Sequence, residues 1–261
     1  MLAQHSGDKG IRILLLDIET APSLAYIWDA RTDYVTVDKV TAPGYTLCWS
    51  AKWLGEKDMM FDSVHESSQK KMLSGIHRLM DEADAIVTYN GLKFDIPTLN
   101  REYIKNGMSP PSPSRQIDLY PVVKKEFKFF SNKLDWVAKE LGVGAKLQHK
   151  GMELWKECMA GKESAWSVMT RYNKNDVTLL EKVYIKVRPW IRNHPNVGVY
   201  SDERRPMCKN CGGHVMQSRG RVATETQIFR KYQCQKCGAW TRSAMGQLDR
   251  EKRSMIMRRI T

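Results

Sequence analysis

The chain is 261 residues long and carries 42 Lys and Arg against 29 Asp and Glu, a formal net charge of +13 that calls for a polyanionic partner. With 42% apolar and 9% aromatic residues it is not a disordered chain, and its length supplies core for one large domain, or one large and one small. The longest aliphatic run, residues 11–16, falls far short of the roughly 18 needed to cross a bilayer. The opening MLAQHSGDKG lacks the basic and apolar regions of a secretory signal, so the expectation is a soluble, cytoplasmic protein without a membrane partner.

Residues 11–17 (IRILLLD) form a short apolar run without helical period, as a strand buried on both faces does. Residues 45–53 (YTLCWSAKW) and 58–64 (DMMFDSV) read as two more strands, joined through the turn-like Gly55 and Glu56 into a hairpin. Over 67–83, Met72, Ile76, Leu79 and Met80 recur at helical spacing behind a serine cap, and 85–89 (AIVTY) returns to strand. Pro97 marks a helix start, 107–114 (GMSPPSPS) is a loop, and 116–123 is expected to be a fifth strand. Beyond it, residues 133–141, 152–159 and above all 164–191 space apolar residues by three and four, as amphipathic helices do. This order predicts an α/β fold, a mixed five-stranded sheet flanked by helices.

Residues 189–206 (PWIRNHPNVGVYSDERRP) end the last long helix with prolines, asparagines and a glycine. The expected organisation is a large domain over 1–192, a linker over 193–205, a small domain over 206–245 and a basic tail over 246–261. Residues 195–261 hold 14 Lys and Arg against 5 Asp and Glu, net +9, whereas the preceding residues hold 28 against 24, net +4. Most of the excess charge therefore belongs to the last quarter of the chain.

The first strand ends in Asp17-Ile18-Glu19-Thr20, and strand alternation turns both carboxylates to one face, where they repel unless a cation holds them. A solvated strand end is the blander account. After the fourth strand, Asn90-Gly91-Leu92-Lys93-Phe94-Asp95 leads into Pro97, placing Asp95 at a helix N-terminus, where it would serve as a simple cap or meet the first pair. In the last long helix Tyr172 and Asp176 are four apart and share a face.

Taken in order, Asp-x-Glu, Asn-Gly-x-x-Phe-Asp and Tyr-x-x-x-Asp resemble the three motifs of the DnaQ-like 3′-to-5′ exonucleases, the DEDD group of the ribonuclease H-like superfamily. The resemblance spans residues 11–191, and Tyr172, with Arg171 rather than histidine before it, is similar to the tyrosine subgroup. It implies that Asp17, Glu19, Asp95 and Asp176 bind two Mg²⁺ or Mn²⁺, Asp17 bridging them, while Tyr172 orients the attacking water. Hard oxygen donors suit such ions, and a metal pair can clamp both oxygens of an in-line phosphoryl displacement. Asp118 in QIDLY is a rival for the third carboxylate and is read as structural. Thr20, Asn90 and Phe94 flank the carboxylates and could grip the terminal nucleotide, Phe94 equally being core. Lys150, beside His149, would meet phosphate or open a solvated helix.

Cys208-x-x-Cys211-Gly and Cys234-x-x-Cys237-Gly match the spacing of a tetrahedral structural Zn²⁺ site and look like a zinc ribbon; a redox dithiol or disulfides are the alternatives. Two short strands are expected between the pairs. Neighbouring His214 is not needed as a ligand, and Cys48 and Cys158 read as small buried residues. Arg219, Arg221, Arg230, Lys231 and Arg242 are interleaved with Phe229, Tyr232 and Trp240, a composition that suits single-strand binding or a miniature core.

The expected function is therefore a two-metal 3′-to-5′ exonuclease releasing nucleoside 5′-monophosphates from single-stranded nucleic acid, DNA before RNA, with a ribbon that helps hold the strand. A polymerase or another replication or repair protein would be a partner in trans. The alternatives are a structure-specific endonuclease of the junction-resolvase type, which shares sheet and carboxylates, and a non-catalytic nucleic-acid-binding ribbon protein.

Overall fold

The apolar run near the start of the chain becomes β1 (Ile13–Thr20), the middle strand of a five-stranded sheet. The computed structural model describes residues 10–258 except Ala30 and Asp33; most of the opening segment read for a signal, and the last three residues of the basic tail, lie outside the described residues. β4 (Thr46–Trp53) pairs antiparallel with β1, Leu16 opposite Ala51, and β5 (Met60–Ser63) extends that side. On the other side β6 (Ala85–Thr88) runs parallel to β1, Leu14 opposite Ile86, and β7 (Arg115–Asp118) runs parallel to β6. The sheet is mixed, as expected. A hairpin of β2 (Leu24–Ala25) and β3 (Val40–Ala42), unexpected from the sequence, follows β1.

Alternation along β1 divides the core in two. Leu14, Leu16 and Ile18 pack with Trp49, Trp53, Met72, Ile76 and Leu99 on the face covered by α1 (Gln69–Asp81) and α2 (Asp95–Lys105). Each fully buried side chain of this size contributes about 1.5–3 kcal/mol of apolar transfer. Ser68 caps α1 by accepting from the Lys71 amide, and the Trp49 indole donates to the Met72 carbonyl at 2.9 Å, tying β4 to that helix. The opposite face is covered by α5 (Met152–Met159) and α6 (Glu163–Val187), whose Leu154, Cys158, Trp166, Met169 and Tyr172 pack with Leu47 and Cys48. Leu15, Asp17 and Glu19 point that way, so one strand feeds a hydrophobic core with one edge and a polar centre with the other.

Two expectations need correction. The fifth strand stops at Asp118, and residues expected to extend it form α3 (Leu119–Glu126). The Asp118 carboxylate accepts from the Tyr120 amide and caps that helix, and Pro121 fits its first turn, where no N–H is required. The long last helix ends at Val187, after which Pro189 sits in a 3₁₀ turn over Arg188–Trp190. The remaining helix of this part is α4 (Leu134–Glu140).

Two compact units result, one over Arg12–Lys186 and one that takes in the chain from Val187 onward. In the second, β8 (Met216–Ala223), β9 (Ile228–Cys234) and β10 (Trp240–Arg242) form an antiparallel sheet of order β10-β9-β8, one strand more than expected. The stretch after α6 is woven into this unit. Val197 donates to the Lys209 carbonyl at 2.8 Å, and the Asn210 side chain donates to the Arg188 carbonyl at 2.9 Å. Its apolar cluster consists of Cys208, Cys234 and Ala239 with Cys211, Met216 and Cys237 packed against them, so the cysteines are themselves most of the core. The described part of the basic tail includes α7 (Arg250–Ser254), capped by Asp249. Among the described residues, no helix is long and apolar enough to cross a membrane.

Candidate functional site

Asp17 and Glu19 reach toward α6, and the structure brings them to Asp176. Carboxylate oxygens of Asp17, Glu19 and Asp176 all lie within 4.8 Å of one another. Asp176 is 1% exposed, and its Oδ1 has no hydrogen-bond partner. Asp95, in the first turn of α2, stands beside this trio rather than within it; its Oδ1 accepts from the Ile18 amide at 3.1 Å, yet it is the neighbouring charge that most disturbs Asp17. Asn173, next to Tyr172 on α6, donates its amide to Asp17 Oδ2 at 2.7 Å and fixes that carboxylate.

The electrostatics record the crowding. Burial, then Asp95, Glu19 and Asp176, hold Asp17 well above the usual carboxylate range. Burial and Asp176 push Glu19 up to about 8. Burial raises Asp95 to about 7 against the pull of the Ile18 amide, and raises Asp176 against the pull of Lys146.

Lys146 is the cation in this arrangement. It lies in the loop between α4 and α5, and its Nζ is 2.5 Å from Asp176 Oδ2 and donates to the Tyr172 hydroxyl at 3.1 Å. Burial alone would lower its pKa, but Asp176, Tyr172 and Asp17 more than offset that and raise it, so the ammonium is firmly charged. Tyr172 is buried and packed edge-on by His149 and Trp155, with ring centroids 4.8 and 6.1 Å away, and burial, then Asp176, pushes its hydroxyl to about 12. Sequence reasoning missed Lys146 and Asn173. The only signal for Asn173 is its place beside Tyr172, and a lone lysine in a glycine-rich loop gives none.

The family model described as the RNase_H superfamily matches residues 51–188, just over half of the chain. The chain belongs to the RNase H superfamily. The match begins after β1, so Asp17 and Glu19 lie outside it. The fold is also similar to that of the family B DNA polymerase from the hyperthermophilic archaeon Pyrobaculum calidifontis, with a TM-score of 0.50 at 19% identity over 69% of this chain. The matched part is 26% of that polymerase chain, about a quarter of its length. A search of curated proteins found no match. Membership of this superfamily supports nuclease chemistry on a nucleic acid, and such nucleases use divalent metals, for which the acidic cluster offers suitable donors.

The other residues singled out from the sequence lie around this RNase H-like centre. Thr20 closes β1 just after a register shift between Glu19 and Thr20. Asn90 takes a left-handed φ of 66°, and Asp118 holds the turn by accepting from the Asn90 amide at 2.7 Å and the Leu92 amide at 3.2 Å. With Tyr120, Asp118 thus has three backbone donors and is committed to architecture. Phe94 is 45% exposed, so it is not core. Lys150 is exposed and makes no contact with the carboxylates; His149 accepts from the Gly151 amide at 3.1 Å and lies against Tyr172 instead.

In the second unit the sulfurs of Cys208, Cys211, Cys234 and Cys237 lie within 4.8 Å of one another, with no disulfide among them. The Cys208–Cys237 and Cys211–Cys234 separations are 3.7 and 3.6 Å. Four sulfurs about 2.3 Å from a central ion stand about 3.8 Å apart along tetrahedral edges, so the donor set suits Zn²⁺. Gly212 and Gly238, at φ 70° and 80°, donate to the Cys208 and Cys234 carbonyls and close the two turns. His214 faces the Pro206 carbonyl and is not part of the cluster. Cys48 and Cys158 are buried in the large unit.

Proposed function

We propose that this chain is a two-metal 3′-to-5′ exonuclease of the DnaQ-like tyrosine subgroup, acting on single-stranded nucleic acid, DNA before RNA, and releasing nucleoside 5′-monophosphates. The observation that carries the reading is the meeting of Asp17, Glu19 and Asp176 within 4.8 Å, with Tyr172 one helical turn before Asp176. The site suits Mg²⁺ or Mn²⁺: its donors are hard oxygens, one of them buried and unpartnered, and burial raises the pKa of each carboxylate, so a bound cation would favour their ionised forms. Asp17, Glu19 and Asp176 would hold the cations, with Asp95 beside Asp17. When bound, the metals supply an acidified water and neutralise charge on the scissile phosphodiester.

The chain's own groups do the rest. At neutral pH the Tyr172 hydroxyl keeps its proton, so it orients the attacking water through a hydrogen bond and does not act as a base. His149 and Trp155 hold the ring from the sides, and Asn173 fixes Asp17. Phe94, which is exposed, and Thr20, which follows Glu19, would meet the terminal nucleotide. Cys208, Cys211, Cys234 and Cys237 would bind one structural Zn²⁺, and the basic ribbon would attract the strand that an acidic centre repels. Any proofreading would be performed for a polymerase or repair protein in trans.

Matched 5′-labelled DNA and RNA strands digested with Mg²⁺ should shorten from the 3′ end to a ladder with mononucleotide products, DNA faster. Discrete internal cuts would favour the endonuclease, and binding without degradation would leave only a binding protein.

A further inference from the structure

We propose that the second unit has a nucleotide-binding cleft of its own, along β10, that takes a base of a single strand on Trp240 and the flanking phosphates on Lys209, Lys231 and Arg242. The inference rests on the reading of the chain as a single-strand nuclease for the identity of the ligand, and adds a site that the catalytic centre does not require.

Strand register builds the cleft. Trp240 and Arg242 alternate onto one face of β10, Arg242 opposite Lys231 and Trp240 opposite Gln233 on β9; Phe229, two residues before Lys231, shares that face opposite Val222 of β8. The resulting cleft is an open groove of about 480 Å³, within the volume range of sites that hold a small molecule or a single nucleotide. Lys209, Lys231 and Arg242 line it together with Trp240 and the Asn196 amide, and among the described residues no carboxylate does.

The side chains are arranged for use rather than for packing. Phe229 is 8% exposed and belongs to the interior, and the Arg242 guanidinium lies 3.6 Å over its ring, which holds the plane of the cation in place. Trp240, by contrast, leaves 50% of its surface open, with Lys231 Nζ 5.2 Å from its ring centroid. An open indole beside three cations gives a base a stacking surface and its phosphates their counter-charges, the combination that single-strand binding sites use. An acidic peptide would satisfy the cations and leave the indole without a role.

The test is fluorescence anisotropy of a labelled 15-mer single strand with the full chain, without Mg²⁺ and without chelator so that zinc is retained, over a salt series. For Lys209→Gln/Lys231→Gln/Arg242→Gln the slope of log K against log salt should shrink by about 2, since each single-strand phosphate contact contributes about 0.7. Trp240→Ala should weaken binding about fivefold or more, and Trp240→Phe should restore most of it. If the triple variant loses zinc, Lys209→Gln and Lys231→Gln separately should each still shrink the slope by about 0.7. With Mg²⁺ present, KM for the strand should rise in these variants while kcat holds.

Zinc-loaded variants that bind as the parent does would overturn the cleft while leaving the nuclease reading intact. A parent that neither binds nor digests strands would remove both. A labelled acidic peptide whose binding, unlike the strand's, depends on these residues would overturn the proposal and assign the cleft to a protein partner.

Discussion

Replacing Lys146 by methionine keeps most of the length of the side chain and removes the charge that faces Asp176. Asp176 is 1% exposed and the lysine side chain 31%, so the pair is largely, but not fully, shielded from water. Breaking a fully buried pair from one side costs about 3–5 kcal/mol; the partial exposure of Lys146 brings the expected cost in metal-free protein to about 2 kcal/mol. For a unit of this size that lowers the melting temperature by about 4–8 °C. A divalent cation at the carboxylates has to displace the ammonium from Asp176 in the parent but not in the variant. The same 2 kcal/mol therefore returns as metal binding about 30-fold tighter. The assay is a pair of measurements on each protein: thermal melting without Mg²⁺ or Mn²⁺, and calorimetric titration with Mn²⁺. An unchanged melt, or a loss of stability accompanied by weaker Mn²⁺ binding, would refute the view of Lys146 as a displaceable counter-ion.

Asp17→Asn should reduce Mg²⁺-dependent turnover roughly a thousandfold or more while raising the metal-free melting temperature, because one repelling charge is gone and the new amide oxygen still accepts from Asn173; retained turnover would remove Asp17 from the chemistry. With Glu19 at about 8 and Asp95 at about 7, the folded metal-free protein keeps protons that the unfolded chain has released. Its stability should thus fall as pH rises from about 4.5 to about 8, and Mn²⁺ affinity should climb over the same interval; pH-independent melting and binding would contradict the raised values. About one zinc per chain should survive desalting. It should be lost in Cys208→Ser/Cys234→Ser with a collapse of amide-exchange protection over residues 206–245, because the cysteines supply most of that unit's core.

The parts that could be read in the sequence are those written in periodicity or short spacing. The aliphatic run of β1, the serine-capped α1 and each cysteine pair carry their pattern within about four turns of helix or less. What could not be read depends on single side-chain caps, on elements too short for a period, or on contacts distant in sequence. A backbone hydrogen bond to the Asp118 side chain, and not hydropathy, ends β7 and starts α3, so an apolar LYPVV continued to look like strand. Hairpin β2–β3 has two- and three-residue strands, too short for any period. Lys146 reaches Asp176 across 30 residues of chain, and Asn173 meets Asp17 across 156, distances over which local pattern is silent.

The turn at Asn90 also bears on how this protein's mutants should be interpreted. Its left-handed backbone and the close fit of Gly91, where an added Cβ would fall 2.3 Å from the Thr88 hydroxyl, make Asn-Gly a demand of the peptide chain. The turn is anchored by Asp118, which belongs to another strand and touches no carboxylate of the cluster. On the proposed function, a genetic screen scored on digestion would therefore return Asp118 and Gly91 alongside the proposed metal-site positions, through their hold on the turn. Sorting such hits requires a readout of backbone order: the two architectural residues should reveal themselves by loosened amides around residue 90, and the metal-site residues by a folded protein that no longer responds to Mn²⁺.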